Sequence, residues 1–171
     1  PIFDCMTLKN YEKLFETRSF RQCKELIIHI FMVFLNALYY FNDTWLEIKM
    51  AVNRIILQSL NMLRTIMFQE FLGAEKFDIA IWRTYFKLSI AFLTQQRLQL
   101  DTQPYWKRRV ILDTYGGDMR IMMGSELVTC WNLIGPSKIA FIPSLVSSFV
   151  DVTLVPELQL RKATLPIFYD M

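Results

Sequence analysis

Long stretches of the chain repeat apolar residues every three or four positions. Between Trp45 and Gly73, Ile48, Val52, Ile55, Ile56, Leu60, Leu63 and Met67 form one stripe, while Glu47, Arg54, Gln58, Asn61 and Thr65 occupy the other side. That period is the one a helix uses to present a single apolar face to a core. Thr44 and Glu47 have capping-box spacing ahead of the stripe, and Gly73 supplies a stop behind it.

Ser19 and Gln22 show the same capping spacing and predict a helix from Phe20 to Phe41, broken by Asn42 and Asp43. This segment is apolar nearly all round, which predicts a place in the middle of a layer, covered on several sides. Its most apolar run, Leu26 to Phe41, is shorter than the roughly 20 residues a membrane-spanning helix needs. His29 and Asn36 interrupt it, and Lys24, Glu25, Asn42 and Asp43 flank it without a basic cluster. The run therefore reads as a buried helix of a soluble protein.

Asp78 opens a third pattern, with Trp82, Phe86, Ile90 and Leu93 on one face and Arg83, Lys87 and Gln95 elsewhere. Asp101 to Pro104 reads as a linker and marks a candidate sub-boundary within a single helical segment covering residues 1–171. Shorter helices come next: Tyr105 to Tyr115, stopped by Gly116-Gly117, and Asp118 to Ile134, stopped by Gly135-Pro136. Ser137 to Val155 is read as helix begun by Pro143, although Val150, Val152, Thr153 and Val155 would also suit a strand. Pro156 is expected to begin a last helix through Lys162, and Pro166 to interrupt the residues beyond it.

Successive helices on short connections, without strand-like alternation, predict an all-α fold: an irregular armadillo- or HEAT-like stack of antiparallel helix pairs. No motif recurs at a fixed period, which separates it from ankyrin and tetratricopeptide arrays. Composition agrees. Of 171 residues 53% are hydrophobic, and 14 Phe, 9 Met and 7 Tyr outweigh 5 Gly and 6 Pro, so there are few turns and many bulky side chains to bury. Pro1 to Asn10 lacks the pattern of a secretory signal, and the chain reads as a piece excised from a longer one, with faces meant to meet its neighbours.

Charge and reactive residues narrow the function. Nineteen basic and 16 acidic residues are spread evenly, giving a net +3, which is no nucleic-acid footprint. Cys5, Cys23 and Cys130 lie far apart in odd number, arguing for a reducing compartment and against a disulfide framework or zinc site. His29, inside the apolar run, reads as a hydrogen-bonded core histidine rather than a base. Gly116-Gly117-Asp118 matches no phosphate-loop motif and reads as a helix stop followed by an N-cap. Met119, Met122 and Met123 read as core, and Glu12 and Glu16 as exposed charge. Catalytic, cofactor and metal residues are therefore expected to be absent. One compact cluster stands out: Tyr105, Trp106, Lys107, Arg108 and Arg109, a solvated helix face or a candidate contact for a partner or anionic lipid.

Literal strings go further. NYEKLFETRSFRQCKELIIHIFMVF (Asn10 to Phe34), MAVNRIILQSL (Met50 to Leu60), YFKLSIAFLTQQRLQL (Tyr85 to Leu100), YGGDMRIMMG (Tyr115 to Gly124) and FIPSLVSSFVDVTLVPELQLRKATLPIFYDM (Phe141 to Met171) stand in order along nearly the whole chain. Together they closely resemble the dedicator of cytokinesis (DOCK) family of guanine-nucleotide exchange factors, its Rac- and Rap-directed branches most. In that family a C2-type membrane-binding region precedes a helical armadillo-like array, and a catalytic second homology region comes after it. The resemblance implies that this segment is the end of the array, within a parent that releases GDP from a Rac- or Rap-type small GTPase and works with an ELMO-type adaptor. It further implies a cytoplasmic parent recruited to the plasma membrane. The family's nucleotide-sensing valine belongs to the exchange lobe, so Val146 and Val155 inherit no such role. The implied part for this segment is a non-catalytic spacer and docking platform that orients the exchange module.

Overall fold

A computed structural model describes residues 5–40, 45–73 and 76–171. Among the described residues the regular elements are helical and none is a strand. The α-helices are α1 (Leu8–Glu16), α2 (Phe20–Tyr40), α3 (Leu46–Phe71), α4 (Ile79–Leu93), α5 (Tyr105–Tyr115), α6 (Met119–Leu133), α7 (Ile142–Thr153) and α8 (Leu158–Tyr169). Short 3-10 turns at Gln96–Leu98 and Leu100–Thr102 lead into α5, and another at Gly135–Ala140 leads into α7.

The capping chemistry sets several of these boundaries. Ser19 N–H donates to Gln22 Oε1 at 3.0 Å and Gln22 N–H to Ser19 Oγ at 3.4 Å, the reciprocal pair expected of a capping box. Asp78 accepts from the backbone of Ala80 and Ile81 and starts α4. Gly116 and Gly117 take positive φ, 74° and 130°, and Gly117 N–H closes α5 on the Leu112 carbonyl at 2.8 Å. The stop after α6 likewise falls at Gly135, with φ 52°. Phe41, Asn42, Asp43 and Thr44 lie outside the described residues. Trp45 stands at the N-cap of α3 without a side-chain cap.

Helices two or three apart in sequence stack on one another. One layer runs α1, α3, α6 and the other α2, α4, α7, with α8 closing against both α6 and α7. α4 touches α2, α6 and α7 and is covered nearly all round. Its Phe86 ring lies 5.6–6.3 Å from the rings of Trp82, Tyr85, Trp131, Phe141 and Phe149, drawing α4, α6 and α7 into one aromatic core. Trp82 Nε1 donates to the Phe71 carbonyl at 2.9 Å, which joins the end of α3 to the start of α4.

Four expectations change. α2 buries one stripe, Cys23, Ile27, Ile30, Phe31, Phe34 and Leu38, against α3 and α4. It stands at the edge of the stack, so Met32 and Val33 face outward. By length and composition it is the one described helix able to cross a membrane. His29 falls off the buried stripe and is exposed, not a core residue.

On α3, Ile56, Leu60, Leu63 and Met67 are buried as expected, but Ile48 is exposed. The covered face turns toward Met50, Asn53 and Ser59, because α1 and α6 flank this helix on two sides. Finally, α8 starts at Leu158 with Glu157 as its cap and runs through Pro166 to Tyr169. Pro166 and Lys162, whose carbonyl loses its usual donor, both lie on the exposed side of the helix. Leu160, Thr164 and Ile167 hold the other side in the core.

Candidate functional site

The densest polar cluster surrounds Arg120, a charged residue at a core position of α6. It is fully buried. Its Nε and Nη2 donate to Asp118, the latter at 2.7 Å, and its Nη1 donates to Asp101 Oδ2 at 2.7 Å and to Gln99 Oε1 at 3.1 Å. Asp118 also caps α6 by accepting from Arg120 N–H. Asp101 uses its other oxygen for Arg108 Nη1 on α5, at 3.0 Å.

Burial opposes the guanidinium charge, but the hydrogen bonds to Asp118 and Asp101 raise its pKa above the ordinary value all the same. The Arg120 guanidinium in turn holds the Asp101 carboxyl below the usual carboxylate range. Donors and acceptors saturate one another, so the cluster ties chain segments together and leaves no group poised to move a proton.

A second buried pair joins α6 to α4: Cys130 Sγ donates to the Tyr85 hydroxyl at 3.2 Å. Burial pushes the Cys130 thiol up to about 12 and raises Tyr85 well above its ordinary value. Both stay protonated at neutral pH, which makes the thiol a packing group and a poor nucleophile. Among the described residues no three His, Cys, Asp or Glu side chains gather as a metal site would require.

Three grooves among the described residues bear on these side chains. One, about 660 Å³, has Phe15, Phe20, Cys23 and Ile66 along it, with Glu12, Glu16 and Glu70 among its charged residues. Glu12 is therefore half-buried, not free surface. A second, about 450 Å³, lies between α3 and α6 along Leu57, Gln58, Asn61, Met122 and Ser125. Met119 and Met123 are core while Met122 lines this groove. The third, about 430 Å³, runs between α5 and the first turns of α3, along Leu46, Met50, Trp106, Lys107, Val110 and Tyr115.

The aromatic-basic cluster occupies the first turns of α5. Tyr105 and Trp106 are 79% and 68% exposed, far more than packing residues would be. Arg108 pairs with Asp101, and Arg109 lies 3.8 Å from Asp113 one turn on, so two of the three cations already face a carboxylate. Lys107 is half-buried beside the third groove. The five residues thus make up the first turn of α5 and point to different sides of it, with the aromatic pair more prominent than the positive charge.

Sequence reasoning missed Arg120. The signal was present as an arginine between Met119 and Met123 on an apolar face, two residues after an acid. It missed Gly124 as well. A Cβ there would overlap Leu160 Cδ1, so the missing side chain lets α8 seat against α6.

Comparison with known proteins matches residues 1–171 to the family model described as "Dedicator of cytokinesis (DOCK) TPR region". Dedicator of cytokinesis protein 3 of Mus musculus is 38% identical over 152 residues, covering 88% of this chain and 7% of its own length. The Homo sapiens protein of the same name gives the same values. Dedicator of cytokinesis protein 4 of Mus musculus is 35% identical over 169 residues, covering 97% of this chain and 8% of its own length. The chain thus spans less than a tenth of these curated relatives.

Proposed function

This chain belongs to the dedicator of cytokinesis family, and from that premise we propose that it serves a longer parent as a rigid spacer and docking platform for a guanine-nucleotide exchange module. It is a helical scaffold segment of that family, the region its model calls TPR, and not the catalytic domain. Under this proposal the parent releases GDP from a Rac- or Rap-type small GTPase, engages an ELMO-type adaptor, and moves from cytoplasm to plasma membrane.

One observation carries the reading: the outermost helices expose apolar side chains on the faces turned away from the stack. Met32 and Val33 do so on α2, and Leu158, Leu165 and Phe168 on α8. A stacked array extends by covering such faces with the next helices, which would let flanking domains of the parent dock at both ends. Added alone, the chain is expected to leave GDP release from Rac- and Rap-type GTPases at the unassisted rate. In the parent, Leu158→Glu with Leu165→Glu is expected to slow GDP release while the circular dichroism spectrum stays helical. Acceleration by the isolated chain would remove the spacer role, and so would an unaffected parent.

The exposure of Tyr105 and Trp106 supports a second reading, in which the start of α5 touches an anionic bilayer. Co-sedimentation with phosphatidylserine vesicles tests it. Binding should weaken with salt and with joint replacement of Lys107, Arg108 and Arg109, and binding indifferent to both would end the electrostatic version.

A further inference from the structure

Among the described α-helices, α5 is the one with no buried residue. Its inner side chains, Ile111, Leu112 and Tyr115, are only partly covered. At 11 residues it is shorter than a helix that holds its shape alone in water.

Its ends are also weak. Pro104 at the N-cap offers no side-chain bond, no acid occupies the first turn, and Lys107 and Arg108 place positive charge near the positive end of the helix dipole. At the other end Gly116 and Gly117 form a two-residue joint in conformations that side chains resist. Before the helix, Gln103 and Pro104 run extended, with ψ of 150° and 145°.

Against this, the segments on both sides are anchored. Leu98 and Leu100 are buried just upstream, and Met119 and Arg120 just downstream. Beside the partial packing of Ile111, Leu112 and Tyr115 on the core, α5 is held to that frame by the Arg108–Asp101 ion pair, whose acid is itself fixed by buried Arg120, and by a Tyr115 hydroxyl bond to the Glu47 carbonyl at 3.4 Å. Beneath it lies the groove that α5 shares with Leu46 and Met50 of α3.

We infer that α5 is a hinged strap, latched by the Arg120–Asp101–Arg108 chain, that opens as a unit about Gly116-Gly117 while the helical stack stays folded, and so bares the Leu46–Met50 edge of α3. The anchors at Leu100 and Met119 confine the movement to the residues between them. The latch works because Arg120 orients Asp101 from the core side, leaving one oxygen directed at Arg108. Opening removes little apolar burial, which is why the equilibrium can be biased by one ion pair. This goes beyond the scaffold role and does not depend on it.

Hydrogen exchange monitored by mass spectrometry on the full 171-residue chain tests the inference. Amides of α5 should exchange about 100-fold faster than those of α4 and α6, as a separately opening unit does. Arg108→Gln, which leaves both acids on Arg120, should raise α5 exchange about threefold, the scale of a part-exposed ion pair, with α4 unchanged. Asp101→Asn should do the same and also loosen the start of α6. Three results would overturn the strap: α5 protected like α4, Arg108→Gln accelerating every helix together, or Arg108→Gln leaving α5 unaltered.

Discussion

Gly124 of α6 lies against Leu160 of α8 so closely that a Cβ on the glycine would overlap the leucine methyl. Both residues are buried, so Leu160 has no solvent to retreat into. Gly124→Ala is expected to gain about 1 kcal/mol of helix propensity and to lose about 1–3 kcal/mol to overpacking. The net is a lower urea midpoint, and the same substitution should cost less when made in a Leu160→Ala chain. A Gly124→Ala chain more stable than the parent sequence would contradict the close approach.

Phe86 is the hub of the aromatic core. Truncation to Ala removes ring contacts to α6 and α7 at once and leaves a cavity that neighbouring rings cannot fill. The expected cost is about 3–5 kcal/mol, read from equilibrium denaturation. Lys87→Ala, the next residue but exposed, should fall within about 0.5 kcal/mol of the parent.

Acid should loosen the latch before the core. Arg120 holds Asp101 below its ordinary value, so the folded chain binds that proton less readily than the unfolded one. Its stabilisation is full above the unfolded value, about pH 4, and fades as pH falls through the lower folded value. Lys138 acts on Asp170 in the same sense. Glu126 acts oppositely: burial raises it despite Arg64, so its protonation relieves a cost as pH falls. The charged groups bearing on Asp101 are Arg120 and Arg108, while Asp118 and Gln99 share the Arg120 guanidinium with it. Asp101→Asn should flatten the stability profile below pH 4, and an unchanged slope would mean the pair contributes nothing there.

Thiol chemistry offers a simple check of packing. Cys5 is exposed, whereas Cys23 and Cys130 are buried, with both buried thiols pushed up by loss of solvent. A disulfide reagent at mildly alkaline pH should label Cys5 promptly and reach Cys23 and Cys130 only on unfolding. Prompt labelling of Cys130 would mean that α6 does not sit against Tyr85.

Helix boundaries were legible at Ser19 with Gln22, at Asp78 and at Gly116-Gly117-Asp118, because capping is chemistry between residues two to five apart, although the Glu157 cap of α8 was passed over. Facing was less legible. Periodicity finds one apolar stripe, but α3 is covered from two sides and so buries Asn53 and Ser59 beyond that stripe. The exposure of His29 and of the outer face of α2 depends on how many helices lie alongside, which no local window contains. Arg120 is buried because Asp101, 19 residues earlier in the chain, comes back to meet it. Pro166 was read as a break, yet its place on the water side lets the helix pass. Tyr105 to Arg109 were found as a compact group from sequence, but their in-chain carboxylate partners were not.

The layered order, in which the helices of the stack rest on ones two or three before them, has a mechanical corollary. Tension applied to the two ends of such an array is borne by successive seams in series, not by one shared seal. Stretched in an optical trap, the chain should lengthen in several low-force steps, with the Phe86-centred pairs yielding last.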